Sequence, residues 1–506
     1  MRSIQPNNAK RWGYYSIISA LFVFFAFNSF YKIHYSADAF NTFFGGSQNA
    51  GWHIQNGRYF YTLVVYAVDR IGLNLVTDHV LWVSLFMATL TFSIIALSYR
   101  CVGLLDETSE ATELACIMCV CLCFVNVFVA EWFQFTDCLL MYSISVLCSV
   151  CAVLLFPYKY DAHKVICRYL AAFILLNIAF NTYQIGINFF VFYVISFILL
   201  AGKGKLTSQG VKKNLIAALM VVGAFGINLC ITRLLTAQGV ISGNSRMLTL
   251  KGENIWANAK VLLSAKLQSL LWLNGDGMMR GPDLLIIGIV LLAAGIYSVV
   301  ANKTNKKKWY DVLYTFVLLA GGVFALALPI LITDSLWMAP RTIVPFFCIF
   351  FYLGCLTVMG QNEFLKKLVA VVLLIALCRQ VLFIQAYSSD ALISNACDRL
   401  WAEQVECRIE AYEQREGIQV TKIGFVPDQS MQWQWGDISY PWDVCLRAIS
   451  IDWARPYALA YYTGAGYSQV DVPDEVKAHF SSLDWDTINL EEQMIFDNEV
   501  CYICIF

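Results

Sequence analysis

A chain of 506 residues that is 59% hydrophobic and only 14% charged cannot hide its apolar surface in a water-soluble globule, which must cover itself with polar groups. A net charge of −1 offers no basic face to nucleic acid. Segments of about twenty residues with almost no charge recur, each able to cross a ~30 Å hydrocarbon layer as a helix, and the ten-residue alternation of a membrane barrel is absent.

The basic N-terminus, "MRSIQPNNAKRWG", precedes an apolar run with no small-residue cleavage site after it, so a retained first span is expected over 14–31. A polar island follows, "HYSADAFNTFFGGSQNAGWHIQNGRYF", residues 34–60. Next comes "RYFYTLVVYAVDRIGLNLV", 58–76, interrupted by Asp69 and Arg70. Burying both charges in lipid is expensive, so an interfacial helix is expected there. Clearer spans are expected over 79–99, 113–130, 137–156, 168–181, 184–201, 215–235, 283–301, 312–332, 342–359 and 368–386. Of 18 cysteines, 13 lie before residue 380, mostly in apolar runs such as "CIMCVCLCF". They read as small hydrophobes, because the histidines and carboxylates of a metal site do not accompany them.

Residues 387–506 read as a separate unit, with 20 Asp and Glu against 7 Lys and Arg, and 6 of the 14 tryptophans. An amphipathic helix is expected over 389–416, and strands at "VTKIGFVP" and "VCYICIF". Cys397 and Cys407, ten apart on that helix, lie ~15 Å apart and cannot pair. A bridge involving Cys445, Cys501 or Cys504 stays open. The expected fold is thus a polytopic α-helical membrane protein. About eleven transmembrane helices fill 1–386, and a small C-terminal extracytoplasmic α+β domain fills 387–506.

Lys and Arg in the loops set the orientation. With the N-terminus inside, the inner segments hold 17 of these cations and the longer outer segments 9. "KGKLTSQGVKK" and "NKTNKKK" are the strongest inner anchors. The outer face then gathers the candidate chemistry. The first outer loop, 32–78, carries His34, Asp38 and Arg58. The second carries Glu131 and Asp137, and the third Tyr183 and Gln184, with Asn188 just inside the membrane. The large loop 236–282 carries Arg246 and Arg280, and the fifth ends at Arg341.

Carboxylates beside cations at a membrane boundary suit transfer of a sugar from a lipid phosphate. A carboxylate takes the proton of an acceptor hydroxyl. Cations stabilise the phosphate that departs, and that phosphate is already anchored at the interface. Asp38 is the candidate base, with Glu131 and Asp137 as further acids. Arg58, Arg341, Arg246 and Arg280 are candidates for the donor lipid phosphate; His34, Tyr183, Gln184 and Asn188 are candidates for substrate contact. Simpler readings stand beside these. Asp38 can cap the helix that starts at "AFNTFF". Arg58 can snorkel to headgroups. Asp137 can cap the following span, and Arg341 can be an ordinary boundary arginine. Tyr183, Gln184 and Asn188 can be interhelical hydrogen-bonding residues. Tryptophans of the tail can stack on sugar rings or fill a small core. No cofactor is expected, and no residue set points to a divalent metal.

The ordered set "SADAF", "NGRYF", "EWFQFTDCLLMYSISVLCSVCAVLL", "FNTYQIGINFF" and "APRTIVPFF" resembles the bacterial Gtr-type glucosyltransferases that modify O-antigen and other surface polysaccharide. These are integral membrane enzymes of the glycosyltransferase C class, and the resemblance spans roughly residues 15–360. It implies a bacterial inner-membrane location, a polyprenyl-phosphate sugar donor usually carrying glucose, and a surface polysaccharide or glycolipid acceptor. It also implies an acidic base in the first outer loop. Members often carry paired acids where this chain reads Ser36-Ala37-Asp38. Asp38 therefore acts alone or takes its second acid from Glu131. The rival readings are a transporter or flippase for a lipid-linked glycan, a polysaccharide polymerase or ligase, and a non-catalytic assembly protein.

Overall fold

A computed structural model describes residues 6–45, 49–105, 108–158, 165–242, 251–266, 283–300, 308–333, 339–427, 447–483 and 489–505. Eight of its helices are long and apolar enough to cross a membrane. They occupy Arg11–Tyr31, His79–Val102, Glu110–Gln134, Thr136–Leu155, Val165–Thr182, Ser208–Ala237, Trp309–Leu331 and Glu363–Glu416. Three shorter apolar helices, Gly186–Ala201, Ile286–Val300 and Val344–Val358, lie among them. Several helix starts are capped by side chains, as free backbone N–H groups require. Ser109 accepts from Thr112, Thr207 from Gly210 and Asn362 from Leu365.

The first loop folds as short helices: α1 (Pro6–Phe27) leads to α2 (Ala37–Gly45), α3 (Asn49–Gln55) and α4 (Tyr59–Arg70). Twelve residues give α4 a length of ~18 Å, too short to span lipid. It buries Tyr61, Thr62, Val65 and Val68 and leaves Asp69 and Arg70 exposed. The next helix, α5 (His79–Val102), packs on the centre of the bundle, which is α6 (Glu110–Phe124) followed by α7 (Val127–Gln134).

The cysteine run lies on α6, and every residue from Ala115 to Phe124 is buried. Small side chains are what the crowding demands. A Cβ placed on Gly354 would meet Cys119 Sγ at 2.2 Å, so only glycine lets the helix carrying it approach so closely. The described cysteines are all unbridged, Cys501 and Cys504 included; Cys445 lies outside the described residues.

Between α6 and α7 the helix breaks at Val125–Asn126. Backbone groups freed inside lipid must find partners within the protein, and Asn126 supplies most of them. Its Oδ1 accepts from Phe128 N–H (3.1 Å) and Val129 N–H (3.2 Å). Its Nδ2 donates to the carbonyls of Leu122 (3.0 Å) and Cys123 (3.1 Å). Gln380 Oε1 accepts from Val127 N–H at 3.0 Å.

The remaining bundle helices are α8 (Leu139–Leu155), α9 (Val165–Thr182), α10 (Gly186–Ala201), α11 (Ser208–Ala237), α12 (Gly252–Val261), α13 (Asp283–Val300), α14 (Trp309–Leu331) and α15 (Cys348–Val358). Then α16 (Glu363–Glu416) runs unbroken for 54 residues, or ~81 Å. The sequence reading had divided it into a span and a separate helix. No Gly or Pro interrupts the segment, so the helix continues until Gly417 closes it with φ 67°.

Beyond α16 lie β1 (Lys422–Pro427), α17 (Arg455–Thr463), β2 (Ser468–Gln469), α18 (Asp474–Ser481), β3 (Met494–Asp497) and β4 (Val500–Ile505). The sheet order is β2-β1-β4-β3; β1 runs parallel to β2 and β4, and β3 is antiparallel to β4. Strand β4 is buried on both faces. Cys501, Ile503 and Ile505 pack with Trp401, Val405 and Ile409 of α16, while Tyr502 and Cys504 pack with Val472 and Phe480. Tyr35, Ala39 and Phe40 of the first loop join the former core. The first loop and the C-terminal sheet therefore fold as one body.

Asn126→Ala removes a cap and two further hydrogen bonds at the break. A loss of about 1–2 kcal/mol of stability is expected, read as a lower melting temperature of the detergent-solubilised protein. An unchanged melting temperature contradicts the role given to Asn126.

Candidate active site

Asp38 stands in the first turn of α2. The capping contact comes from Ser36, whose Oγ accepts from Ala39 N–H at 3.2 Å. One turn later, Thr42 Oγ1 lies 3.0 Å from the Asp38 carbonyl and 3.0 Å from Asp137 Oδ2. Asp137 belongs to the single 3-10 turn, Thr136–Cys138, that leads into α8. Thr42 thus pins the loop that carries Asp38 to the turn that carries Asp137. The other Asp137 oxygen, Oδ1, is buried without a hydrogen-bond partner among the described residues.

The Asn56-Gly57-Arg58 turn is fixed just as firmly. Gly57 has φ +72°, and a Cβ there would sit 3.2 Å from Gln184 Nε2. Gln184 donates to the Asn56 carbonyl at 2.8 Å, and Asn228 of α11 donates to the Gly57 carbonyl at 2.8 Å. This clamp aims Arg58, whose guanidinium lies 5.4 Å from the centroid of the Tyr183 ring. Arg58 Nη1 donates to His53 Nδ1 at 3.3 Å. Burial, and then the Arg58 charge, push the His53 imidazole well below its usual pKa range. His53 is held neutral, as an acceptor for Arg58.

Arg341 is locked from behind. Its guanidinium pairs with Glu131 Oε1, and its backbone N–H donates to Glu131 Oε2. Its carbonyl accepts from Trp132 Nε1 (2.9 Å) and Tyr183 Oη (3.2 Å). The Phe135 ring lies 4.2 Å from the guanidinium carbon.

These groups surround a cavity of about 540 Å³, walled by Asp38, Asp137, Arg58, Arg341, His53, Tyr142 and Tyr183, with Trp52 and Trp453 also on its wall. That volume falls in the range of small-ligand sites. A smaller cavity of about 100 Å³, bounded by Gln184, Asn228, Thr232 and Pro329, shares Arg58 and Tyr183 with it. Five of the sequence candidates, Asp38, Asp137, Arg58, Tyr183 and Arg341, therefore meet on one cavity, and Gln184 is on the neighbouring one. Glu131 is fully buried behind Arg341.

His34 sits apart. Its Nδ1 lies 2.8 Å from the Lys32 carbonyl and its Nε2 2.9 Å from the Phe133 carbonyl, and burial lowers its pKa. Asn188 is buried in the first turn of α10, on neither cavity wall. Arg246 and Arg280 lie outside the described residues. Among the described residues no group of three or more His, Cys, Asp or Glu is placed to hold a metal ion. Trp453 was foreseen only as one of the tail tryptophans able to stack on sugar rings; His53, Thr42 and Asn228 escaped the sequence reading. His53 alone left a signal, five residues before Arg58 in "HIQNGR".

Two outcomes follow from buried charge. Glu131→Ala leaves the Arg341 guanidinium buried without its carboxylate. A loss of about 3–5 kcal/mol is expected, seen as a large fall in melting temperature, and a fall too small to measure contradicts the ion pair. Second, the native state refuses protons at His34 and His53 that the unfolded chain accepts below ~6.5. The stability these two groups contribute should therefore be complete above ~6.5 and decline as pH falls toward ~5. His53→Asn should flatten that decline; an unaltered slope contradicts a buried neutral imidazole.

The family model described as Glucosyl transferase GtrII matches residues 27–359 of this chain. No curated protein and no solved structure matches it. The matched stretch covers most of the helical bundle and carries every described residue of the two cavities other than Ile451 and Trp453. The chain belongs to the GtrII glucosyl transferase family and is a membrane glucosyltransferase.

Proposed function

We propose that the enzyme moves glucose from a polyprenyl phosphate to a hydroxyl of a surface polysaccharide or glycolipid, on the outer side of the bacterial inner membrane. The observation that carries this reading is the large cavity, where two carboxylates face two guanidinium groups between aromatic rings. Asp38 takes the proton of the acceptor hydroxyl as its oxygen bonds to the sugar C1. The bond from C1 to the phosphate oxygen breaks, and the polyprenyl phosphate leaves with the electron pair. Arg58 and Arg341 stabilise the charge that develops on it. Asp137 is the second acid, since Glu131 is committed to Arg341. The donor phosphate reaches Arg58 from the smaller cavity, which shares that residue.

In this reading the eight long helices and the three shorter ones cross the bilayer together as eleven spans. The N-terminus is cytoplasmic, and the sheet beyond α16 is extracytoplasmic. The lysine-rich inner loops support that orientation. The flippase reading rests on a helix broken inside the membrane, and one exists at Asn126. Its freed groups are bonded to Asn126 and Gln380, and it bounds neither cavity. A polymerase or ligase would use the same face with a different donor.

The test is transfer by membranes supplied with radiolabelled polyprenyl-phosphate glucose and candidate acceptor glycans. Asp38→Asn should reduce transfer by about 10²-fold or more, at unchanged membrane level and melting temperature. Wild-type-like transfer by this variant removes Asp38 as the base.

A further inference from the structure

Among the described residues, the C-terminal unit reaches the large cavity through the segment before α17, where Ile451 and Trp453 form part of the wall. Trp453 is 47% exposed, and Trp52, on the wall of the same cavity, is 44% exposed. An exposed indole is usually a liability. Here the segment carrying one is held by an unusual amount of buried charge. Arg447 donates to Asp398 of α16 at 2.8 Å, and the other Asp398 oxygen accepts from Ala448 N–H at 2.7 Å. Arg455, also buried, donates to the Ile449 carbonyl at 2.6 Å and to Asp452 at 2.9 Å. Two arginines thus fix both ends of a seven-residue arc, and the tryptophan stands at its outer face.

The arc is also fixed relative to Asp38. Helix α17 packs on α2 through Tyr461, which contacts Phe40 (5.6 Å between ring centroids) and Phe43 (5.0 Å). Its hydroxyl donates to Tyr35 Oη at 3.2 Å. Tyr457 stacks on Phe44 at 5.8 Å. Asn395 of α16 holds the backbone of Tyr35 through both its N–H (2.6 Å) and its carbonyl (3.0 Å). The carboxylate and the indole are therefore parts of one rigid body and share a cavity.

A pyranose ring has the matching chemistry. One of its faces presents C–H groups that pack on the electron-rich face of an indole, while its rim of hydroxyls seeks carboxylates and amides. We propose that Trp453 and Trp52 form the acceptor-glycan subsite. They stack on the sugar ring or rings next to the hydroxyl that is glycosylated, so that the C-terminal unit selects the acceptor. This rests on the proposed transferase reading only in calling the glycan an acceptor; the binding itself is independent of transfer.

The experiment is saturation-transfer NMR and titration of the purified full-length protein, without donor, against a fixed panel of neutral oligosaccharides of glucose, galactose and rhamnose. The wild type should bind at least one. Trp453→Ala should weaken that binding about five- to tenfold, Trp453→Phe should restore most of it, and all variants should melt like the wild type. Trp309→Ala, which removes an indole 76% exposed elsewhere, should bind as the wild type does. Wild-type-like binding by Trp453→Ala, equal loss in Trp309→Ala, or no binding by the wild type overturns the proposal. Sugar transfer measured alongside separates this result from the transferase reading. Transfer that persists with acceptor KM unchanged in Trp453→Ala sinks the subsite alone.

Discussion

The site depends on the buried pairing of Glu131 with Arg341. A carboxylate with no exposure and an arginine with almost none are tolerable in an apolar bundle only because each satisfies the other and their remaining groups are bonded too. The pair ties α7 to the turn before α15. The Arg341 carbonyl then orients Trp132 and Tyr183, and Tyr183 carries Arg58 over its ring. A single ion pair in the interior thereby sets the position of both cations on the cavity.

The same requirement, that polar groups away from water find partners inside the protein, shapes the rest of the molecule. Asn126 heals the break that separates α6 from α7. Gln184 and Asn228 hold the turn that presents Arg58. Asp398 holds the arc that presents Trp453. Asn126, Asn228 and Asp398 are buried, each bonds two or more groups, and the groups they hold lie where regular structure gives way. The catalytic candidates stand one step further on, attached to these fixed joints and facing the cavity, so their geometry is set before any substrate arrives.

Much of this was legible in the sequence, for physical reasons. Apolar runs announced the bundle, and Asp69 with Arg70 argued correctly against a span at α4. Asp38, Arg58 and Arg341 were visible as charges in a chain that has few. What could not be read was pairing. Nothing in the spacing of Glu131 and Asp137, six residues apart, says that one turns inward to Arg341 and the other outward to the cavity. The end of α7 at Gln134 separates them, with Glu131 on the helix and Asp137 on the 3-10 turn beyond it. The role of Ser36 as the cap, which leaves Asp38 a turn position facing the cavity, depends on where α2 begins, and helix boundaries are the least readable feature of a sequence. Trp453 was legible only as one of six tail tryptophans open to sugar stacking, and its place on this cavity was not. It lies more than 400 residues from Asp38, and only the joint core of the first loop and the C-terminal sheet brings them to one cavity.

The central claim is that transfer takes place between the two carboxylates and the two guanidinium groups. It is tested most directly by a structure of the protein in lipid nanodiscs with a non-transferable polyprenyl-phosphate glucose analogue. The account predicts phosphate density within hydrogen-bond reach of Arg58 and Arg341, with a cleared position beside the sugar C1 where an acceptor oxygen would lie about 3 Å from the Asp38 carboxylate. A phosphate bound elsewhere, or a sugar held away from Asp38, contradicts it.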